Sequence, residues 1–242
     1  DQYNSQEVSM EDFAKAAGLG VMMASVANSM PTLFWTLANI LNDPVAYETC
    51  QTKVFDVASK REAGREWFTF DELDELIVLQ SAFRESLRMY QCLFASRKAV
   101  EDFIINPKEK IGPKYMVEKG TLIMSLPNVV HHDPTIFEDP KVYKFDRFLD
   151  PKAKTPDGKA LLSSQLRPFG GGSHSCPGRK FIDYEARALL AMMLLKFDMR
   201  LAPSSTEDDG SGVPDIDFKR QGMGVSPPDR DILMRFRLRI TN

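Results

Sequence analysis

The segment Phe169-Gly-Gly-Gly-Ser-His-Ser-Cys-Pro-Gly178 constrains this chain more than any other ten residues in it. Its informative positions are Phe169, Gly172, Cys176 and Gly178, and Arg179-Lys-Phe181 then reads as a helix start. Glycines let a backbone turn sharply and approach a bulky flat group where a Cβ would collide. A cysteine just before a helix N-terminus has its thiolate favoured by the positive end of the helix dipole. At ordinary residue frequencies the four-position pattern arises by chance in roughly one chain in a thousand of this length. A buried structural cysteine after a glycine-rich turn is the plainer reading, and that rarity weighs against it.

The segment resembles the haem-binding loop of the cytochrome P-450 family, where a thiolate pushes electron density onto a haem iron and favours O–O cleavage. Two further motifs of the family stand in the family's order: Glu85-Ser-Leu-Arg88 and Phe145-Asp-Arg-Phe148. Glu-x-x-Arg alone is expected about once per chain, and Glu62-Ala-Gly-Arg65 is a second copy. Glu85 and Arg88 share one face of a strongly patterned helix, whereas Gly64 interrupts the other. The resemblance runs from about residue 16 to the C-terminus. It implies a mainly α fold with small β-sheets: a long central helix, the Glu-x-x-Arg helix, a meander, the Cys loop and a final helix. On that basis residues 1–242 are expected to form the C-terminal, haem-binding part of a P-450 domain. The N-terminal half, with its membrane anchor, distal helices and most of the substrate roof, is expected to be missing, and the 242-residue chain alone to be inactive.

Composition bounds the function classes. A chain of 242 residues with 43% hydrophobic and 27% charged residues reads as globular, and a net charge of −3 gives no support for nucleic-acid binding. Cys50, Cys92 and Cys176 have no framework spacing, and an odd count with one functional thiolate suits a reducing compartment. From Ala16 to Leu41 no residue is charged, long enough to span a bilayer. Its many Gly, Ser, Thr and Asn residues instead favour a helix buried in a protein core.

Along the chain, Asp43-Pro44 is expected to cap a new helix. Thr69-Phe-Asp-Glu72 is a capping box, with Phe68 and Leu73 as its hydrophobic staple, opening one helix that delivers Glu85 and Arg88. Strands are expected at 102–106, 115–117 and 121–126. His131-His132-Asp-Pro marks a turn into a further short helix, and 133–168 reads as an ordered meander. A helix over 181–197, an acidic surface loop over 203–217 and a closing strand over 232–240 complete the chain.

The family resemblance assigns roles by position. Cys176 is the axial thiolate of haem b (iron protoporphyrin IX). Phe169, Gly172 and Gly178 shape its loop, and His174 and Arg97 stand where propionate partners fall. Glu85, Arg88 and Arg147 form a buried network that fixes the loop. Gln91, Phe94, Ala95, Met223 and Val225 line the substrate. The departures lie in the long helix. Ala27 replaces the acid and Asn28 the Thr of oxygen-activating members, so these two are the candidate catalytic positions. Pro31 lacks the N–H that would bond the Ala27 carbonyl, so the helix is expected to open there. Asn28, Pro31, Trp35 and the lack of Pro after Arg88 resemble the branch containing cholesterol 7-alpha-hydroxylase, sterol 12-alpha-hydroxylase and prostacyclin synthase.

That branch holds two chemistries: hydroxylation of a lipophilic steroid with O2 and electrons from a reductase fed by NADPH, and rearrangement of a lipid peroxide without either. Hydroxylation is the expectation, with P-450 reductase as partner near Arg167, Arg179, Lys180 and Lys196, and the endoplasmic reticulum membrane, cytosolic face, as location. A catalytically inactive fragment is the third reading.

Overall fold

The computed structural model describes residues 9–62, 64–105, 114–150, 153–202, 212–222 and 224–239. Among these, seven α-helices are joined by four two-stranded antiparallel sheets, the mainly helical fold with small sheets that the resemblance implies. Helix α1 (Met10–Ala24) runs through a π-turn (Ser25–Ser29) into α2 (Met30–Asn42). The opening expected from Pro31 takes this form: without an N–H at Pro31, Met30 N–H reaches back five residues to the Ser25 carbonyl.

The expected buried helix is buried over only part of its length. Ser29, Thr32, Trp35, Thr36, Ala38, Asn39 and Ile40 lie in the interior, while α1 has no buried residue. Phe13, Leu19, Met22 and Met23 are exposed. Met10–Asn42 is long and apolar enough to cross a membrane by length and composition, but its second half serves as core.

Asp43 caps α3 (Pro44–Ser59), accepting from the Val45 and Ala46 amides at 2.9 and 3.2 Å. The Thr69–Glu72 box opens α4 (Phe70–Glu75), which stops at Leu76 before α5 (Ile77–Tyr90) begins. The sequence pattern reads as one helix across this break. A long-range contact explains the difference: Arg187 donates to the Leu73 carbonyl at 2.6 Å, drawing that acceptor out of the helical ladder, and Leu76 N–H closes a tighter turn on the same carbonyl.

Strands follow: β1 (Gln91–Cys92), β2 (Ala95–Lys98), β3 (Phe103–Ile105), β4 (Tyr115–Val117) and β5 (Leu122–Ser125). Strand β2, unmarked in the sequence, pairs with β5 from Ala95↔Ser125 to Lys98↔Leu122. Helix α6 (Pro127–His131) precedes the His-His-Asp-Pro turn instead of following it. Pro127 starts that helix, and turns fill the residues beyond it. The meander and the Cys loop, with its 3-10 turn Gly172–His174, lead to α7 (Arg179–Lys196). Strand β6 (Phe197–Leu201) pairs with β8 (Met234–Leu238), and β7 (Gly224–Val225) returns to β1. Residue 106, residues 203–211 of the expected acidic loop, and residue 240 lie outside the described residues.

Helices α2, α3, α5 and α7 converge on one core built from Ile40, Val54, Leu76, Leu79, Leu190 and Leu194. A smaller cluster of Phe83, Leu87, Ile182 and Ala186 sits between α5 and α7, and Phe169 of the Cys loop packs on it. Leu79 is fully buried. Leu79→Ala should therefore cost roughly 2–5 kcal/mol through lost burial and a residual cavity, read as a lower urea midpoint with an unchanged slope.

Candidate active site

Cys176 is a free, half-buried thiol. Its amide donates to the Phe169 carbonyl at 2.9 Å, closing the loop on itself. Gly172 turns the chain at φ +67°, a conformation that L side chains rarely adopt. Arg179 donates from Nη1 to the Cys176 carbonyl at 2.9 Å, and α7 starts at the same residue. The thiol thus sits at the positive end of an 18-residue helix.

Behind the loop lies a buried charge network. Glu85 and Arg88 are both fully buried. Arg88 donates from Nε and Nη2 to the Glu85 carboxylate, each at 2.8 Å, and Arg147 adds Nε bonds at 2.9 and 3.0 Å. The same guanidinium groups hold meander carbonyls. Arg88 Nη1 reaches those of His131 and Pro140 at 2.7 and 2.9 Å, and Arg147 Nη1 reaches that of Glu138 at 2.7 Å. Glu85, Arg88 and Arg147 therefore form one continuous network.

His131, which the sequence marks only as a turn residue, connects this network to the Cys loop. Its ring is buried, and Nε2 accepts from the Arg167 amide at 3.1 Å. An accepting Nε2 places the ring proton on Nδ1, which has no hydrogen-bond partner among the described residues. Burial pushes the His131 pKa down to about 4, helped by the adjacent Arg88 charge.

Asn28 lies in the π-turn, its Nδ2 donating to the Ala24 carbonyl at 3.3 Å. Strand β7 presses against it: a Cβ on Gly224 would collide with the Asn28 side-chain oxygen and stand 3.9 Å from the Ala27 carbonyl. Across the sheet, Val225 faces Gln91 and Gly224 faces Cys92. A Cβ on Gly170 would stand 3.8 Å from Leu93 Cδ2, so the chain leaving β1 touches the Cys loop. Contacts thus run from Asn28 to Gly224 and across β7 to β1, and from Leu93 to Gly170 in the Cys loop.

Other sequence candidates lie farther out. Arg97 is exposed on β2, its Nη1 turned back to the Ser96 carbonyl at 2.7 Å, and His174 is exposed in the 3-10 turn. Phe94 and Ala95 are exposed, and Met223 falls outside the described residues. Of the four basic residues expected near the loop, Arg167, Arg179 and Lys180 flank it. Lys196 ends α7, about 26 Å away at 1.5 Å per residue.

Trp35, Tyr90 and Ser226 also escaped sequence reasoning as a unit. The Trp35 and Tyr90 rings stack at 3.9 Å and 4°. Trp35 Nε1 donates to the Ser226 carbonyl at 2.8 Å, and the Ser226 amide donates to the Tyr90 carbonyl at 2.8 Å. Their separation in the chain leaves no local pattern to find.

The family model described as Cytochrome P450 matches residues 1–226. This chain belongs to the cytochrome P450 family. It is 33% identical over 243 positions to cytochrome P450 7A1 of Sus scrofa, covering 95% of this chain and 46% of that protein. It is 33% identical over 229 positions to 25-hydroxycholesterol 7-alpha-hydroxylase of Rattus norvegicus, covering 90% and 52%. It is 27% identical over 239 positions to prostacyclin synthase of Rattus norvegicus, covering 95% and 46%. The chain thus spans about half the length of the curated relatives it matches.

Family membership implies haem, and the donor set suits it. No group of three His, Cys, Asp or Glu side chains converges among the described residues. The half-buried Cys176 thiol before α7 would be the residue of this chain to hold a haem iron whose other ligands come with its macrocycle.

Arg147 is nearly buried against a fully buried Glu85. Arg147→Met should cost roughly 3–5 kcal/mol, because it strips a partner from an enclosed carboxylate, seen as a lower denaturation midpoint. The His131 shift generates a pH dependence. Its folded pKa of about 4 lies below the usual 6.5, so the folded state binds fewer protons between those values. This contribution is complete above pH 6.5 and is lost as pH falls toward 4. The slope is at most about 1.4 kcal/mol per pH unit. His131→Gln, which keeps an acceptor but cannot titrate, should flatten the fall in unfolding midpoint across that window.

Proposed function

We propose that residues 1–242 act as the C-terminal, haem-binding part of a haem-thiolate monooxygenase that hydroxylates a lipophilic, steroid-like substrate. The observation that carries this reading is a single thiol at the head of α7, held by a loop that a buried network braces from behind. Haem b bound there would supply oxygen-activating redox chemistry, with electrons delivered from NADPH through a reductase.

The chain's own residues have definable tasks. Cys176 presents its sulfur before the N-terminus of α7, where it would hold the haem iron. Phe169, packed on the Phe83 and Leu87 cluster, limits water on one side of the loop. Arg97 and His174 are the basic residues proposed to meet the haem carboxylates, Arg97 by turning away from the Ser96 carbonyl that it now holds. Asn28 offers an amide where the helix is opened, so proton movement there proceeds through that amide or through water, without a neighbouring acid. Val225, Phe94 and Ala95 give an apolar wall. Gln91 Oε1 is buried and without a partner among the described residues, an acceptor left for a substrate hydroxyl. Arg167, Arg179 and Lys180 offer positive charge beside the loop, which would speed encounter with an acidic reductase. The reading places the complete protein on the cytosolic face of the endoplasmic reticulum membrane.

A second reading, rearrangement of a lipid peroxide, is favoured by one observation: Ala27 and Asn28 leave the opened turn with neither the acid nor the Thr of oxygen-activating members. The prostacyclin synthase match supports it. Hydroxylation takes precedence on the higher identity to 25-hydroxycholesterol 7-alpha-hydroxylase, 33% against 27%.

In the complete protein, the reduced carbon monoxide complex should absorb near the wavelength that gives the family its name, and Cys176→Ala should lose that band. A steroid panel should then yield product only with reductase and NADPH. Turnover of an endoperoxide without either, and no NADPH-dependent steroid product, would establish the rearrangement instead. A Cys176→Ala variant that keeps the band would overturn both.

A further inference from the structure

We propose that Gly224 is a positioning residue for Asn28: the missing side chain at 224 is what lets the Asn28 amide hold its place in the opened turn. The inference rests on the reading that Asn28 faces the reacting centre. Its basis is a tight contact whose two sides are independently fixed.

On the strand side, Gly224 is buried and adopts φ +133°, so any L side chain would be strained there as well as in collision with the Asn28 oxygen. The strand cannot move aside to relieve that collision. Gly224 and Val225 are paired to β1, and Ser226 is held through both its amide and its carbonyl, by Tyr90 and Trp35. The Trp35 and Tyr90 rings are themselves stacked in the interior.

On the helix side, the Asn28 carbonyl accepts from Thr32 Oγ1 at 2.7 Å, while the Asn28 side chain is tied by Nδ2 to the Ala24 carbonyl. That bond assigns the amide: its nitrogen points along the helix and its oxygen at Gly224. A methyl group at 224 leaves one soft coordinate, rotation of the Asn28 side chain. The residue at 224 therefore sets where the amide donor and acceptor lie, without touching substrate. Sequence inspection gives Gly224 no special standing, because the contact joins residues 196 positions apart.

The test is infrared measurement of the bound carbon monoxide stretch in the reduced, haem-loaded complete protein, a probe of polar groups facing the iron. Asn28→Ala is expected to shift the band. Gly224→Ala should shift it in the same direction, and Gly224→Ala combined with Asn28→Ala should match Asn28→Ala alone, because residues acting through one contact are non-additive. The thiolate-dependent absorption should stay unchanged in all three. If Asn28→Ala leaves the stretch unmoved, the placement of Asn28 at the reacting centre fails, and this proposal falls with it. If Asn28→Ala shifts the band and Gly224→Ala does not, or if their effects simply add, the proposal alone is overturned. Should Gly224→Ala fail to load haem, Trp35→Phe carries the test: it keeps a ring against Tyr90 but releases Ser226. A shifted or broadened band in Trp35→Phe then supports the proposal, and an unaltered one overturns it.

Discussion

A carboxylate with no access to water has to collect its solvation from the protein, and Glu85 does so from three residues on two segments. It accepts from Arg88 on its own helix, from Arg147, and from the Lys144 amide at 3.2 Å. The two guanidinium groups then spread outward onto the carbonyls of His131, Glu138, Pro140 and Val142. A meander lacking regular structure cannot satisfy those carbonyls by itself, and leaving the buried His131 carbonyl without a partner would be costly. Here two arginines replace the ladder of a sheet. Tyr143 adds a second anchor, donating to the Ala82 carbonyl at 2.7 Å, and burial holds its phenol well above the usual range.

Helix α5 carries both halves of the site. Glu85 and Arg88 organise the side that bears the thiol, while Tyr90, two residues on, fixes the strand against the opened turn. Asn39 joins the same lattice, its Nδ2 donating to the Trp35 carbonyl at 2.7 Å and to the Tyr90 hydroxyl at 2.9 Å. Both sides are thus referred to six consecutive residues of one rigid element. Displacement of α5 would move the two together.

What the sequence disclosed follows from the range of the interactions involved. Local signals were readable: the capping box, the Asp43-Pro44 start, the glycine-rich loop before α7 and the missing amide of Pro31 each act within a few residues. The Arg187 contact that splits α4 from α5 spans more than a hundred positions, so periodicity alone reads one helix. The His131 strut to Arg167 and the Ser226 clamp are likewise long-range. Burial of α1 was expected from its composition, yet composition fixes only what a helix can bury, and α1 has no buried residue. Glu85, Arg88 and Arg147 were identifiable because the family resemblance supplied the pairing that spacing could not.

The π-turn between α1 and α2 also sets the angular phase of everything before it. An α-helix advances about 100° per residue, and a wide turn accommodates one extra residue within a continuous helix. The apolar stripe of α1 is therefore rotated against that of α2 by about one residue's worth of azimuth. Loss of one residue between Ser25 and Ser29 would restore a regular helix and leave α2 seated in the core. The exposed face of α1 would stay nearly where it is too, because the residue removed is the one that the wide turn absorbs. Loss of one residue from α2 itself would instead turn Trp35 and Asn39 away from Tyr90. The wide turn is therefore a place where one residue of length can be gained or lost while both halves of the helix keep their phase.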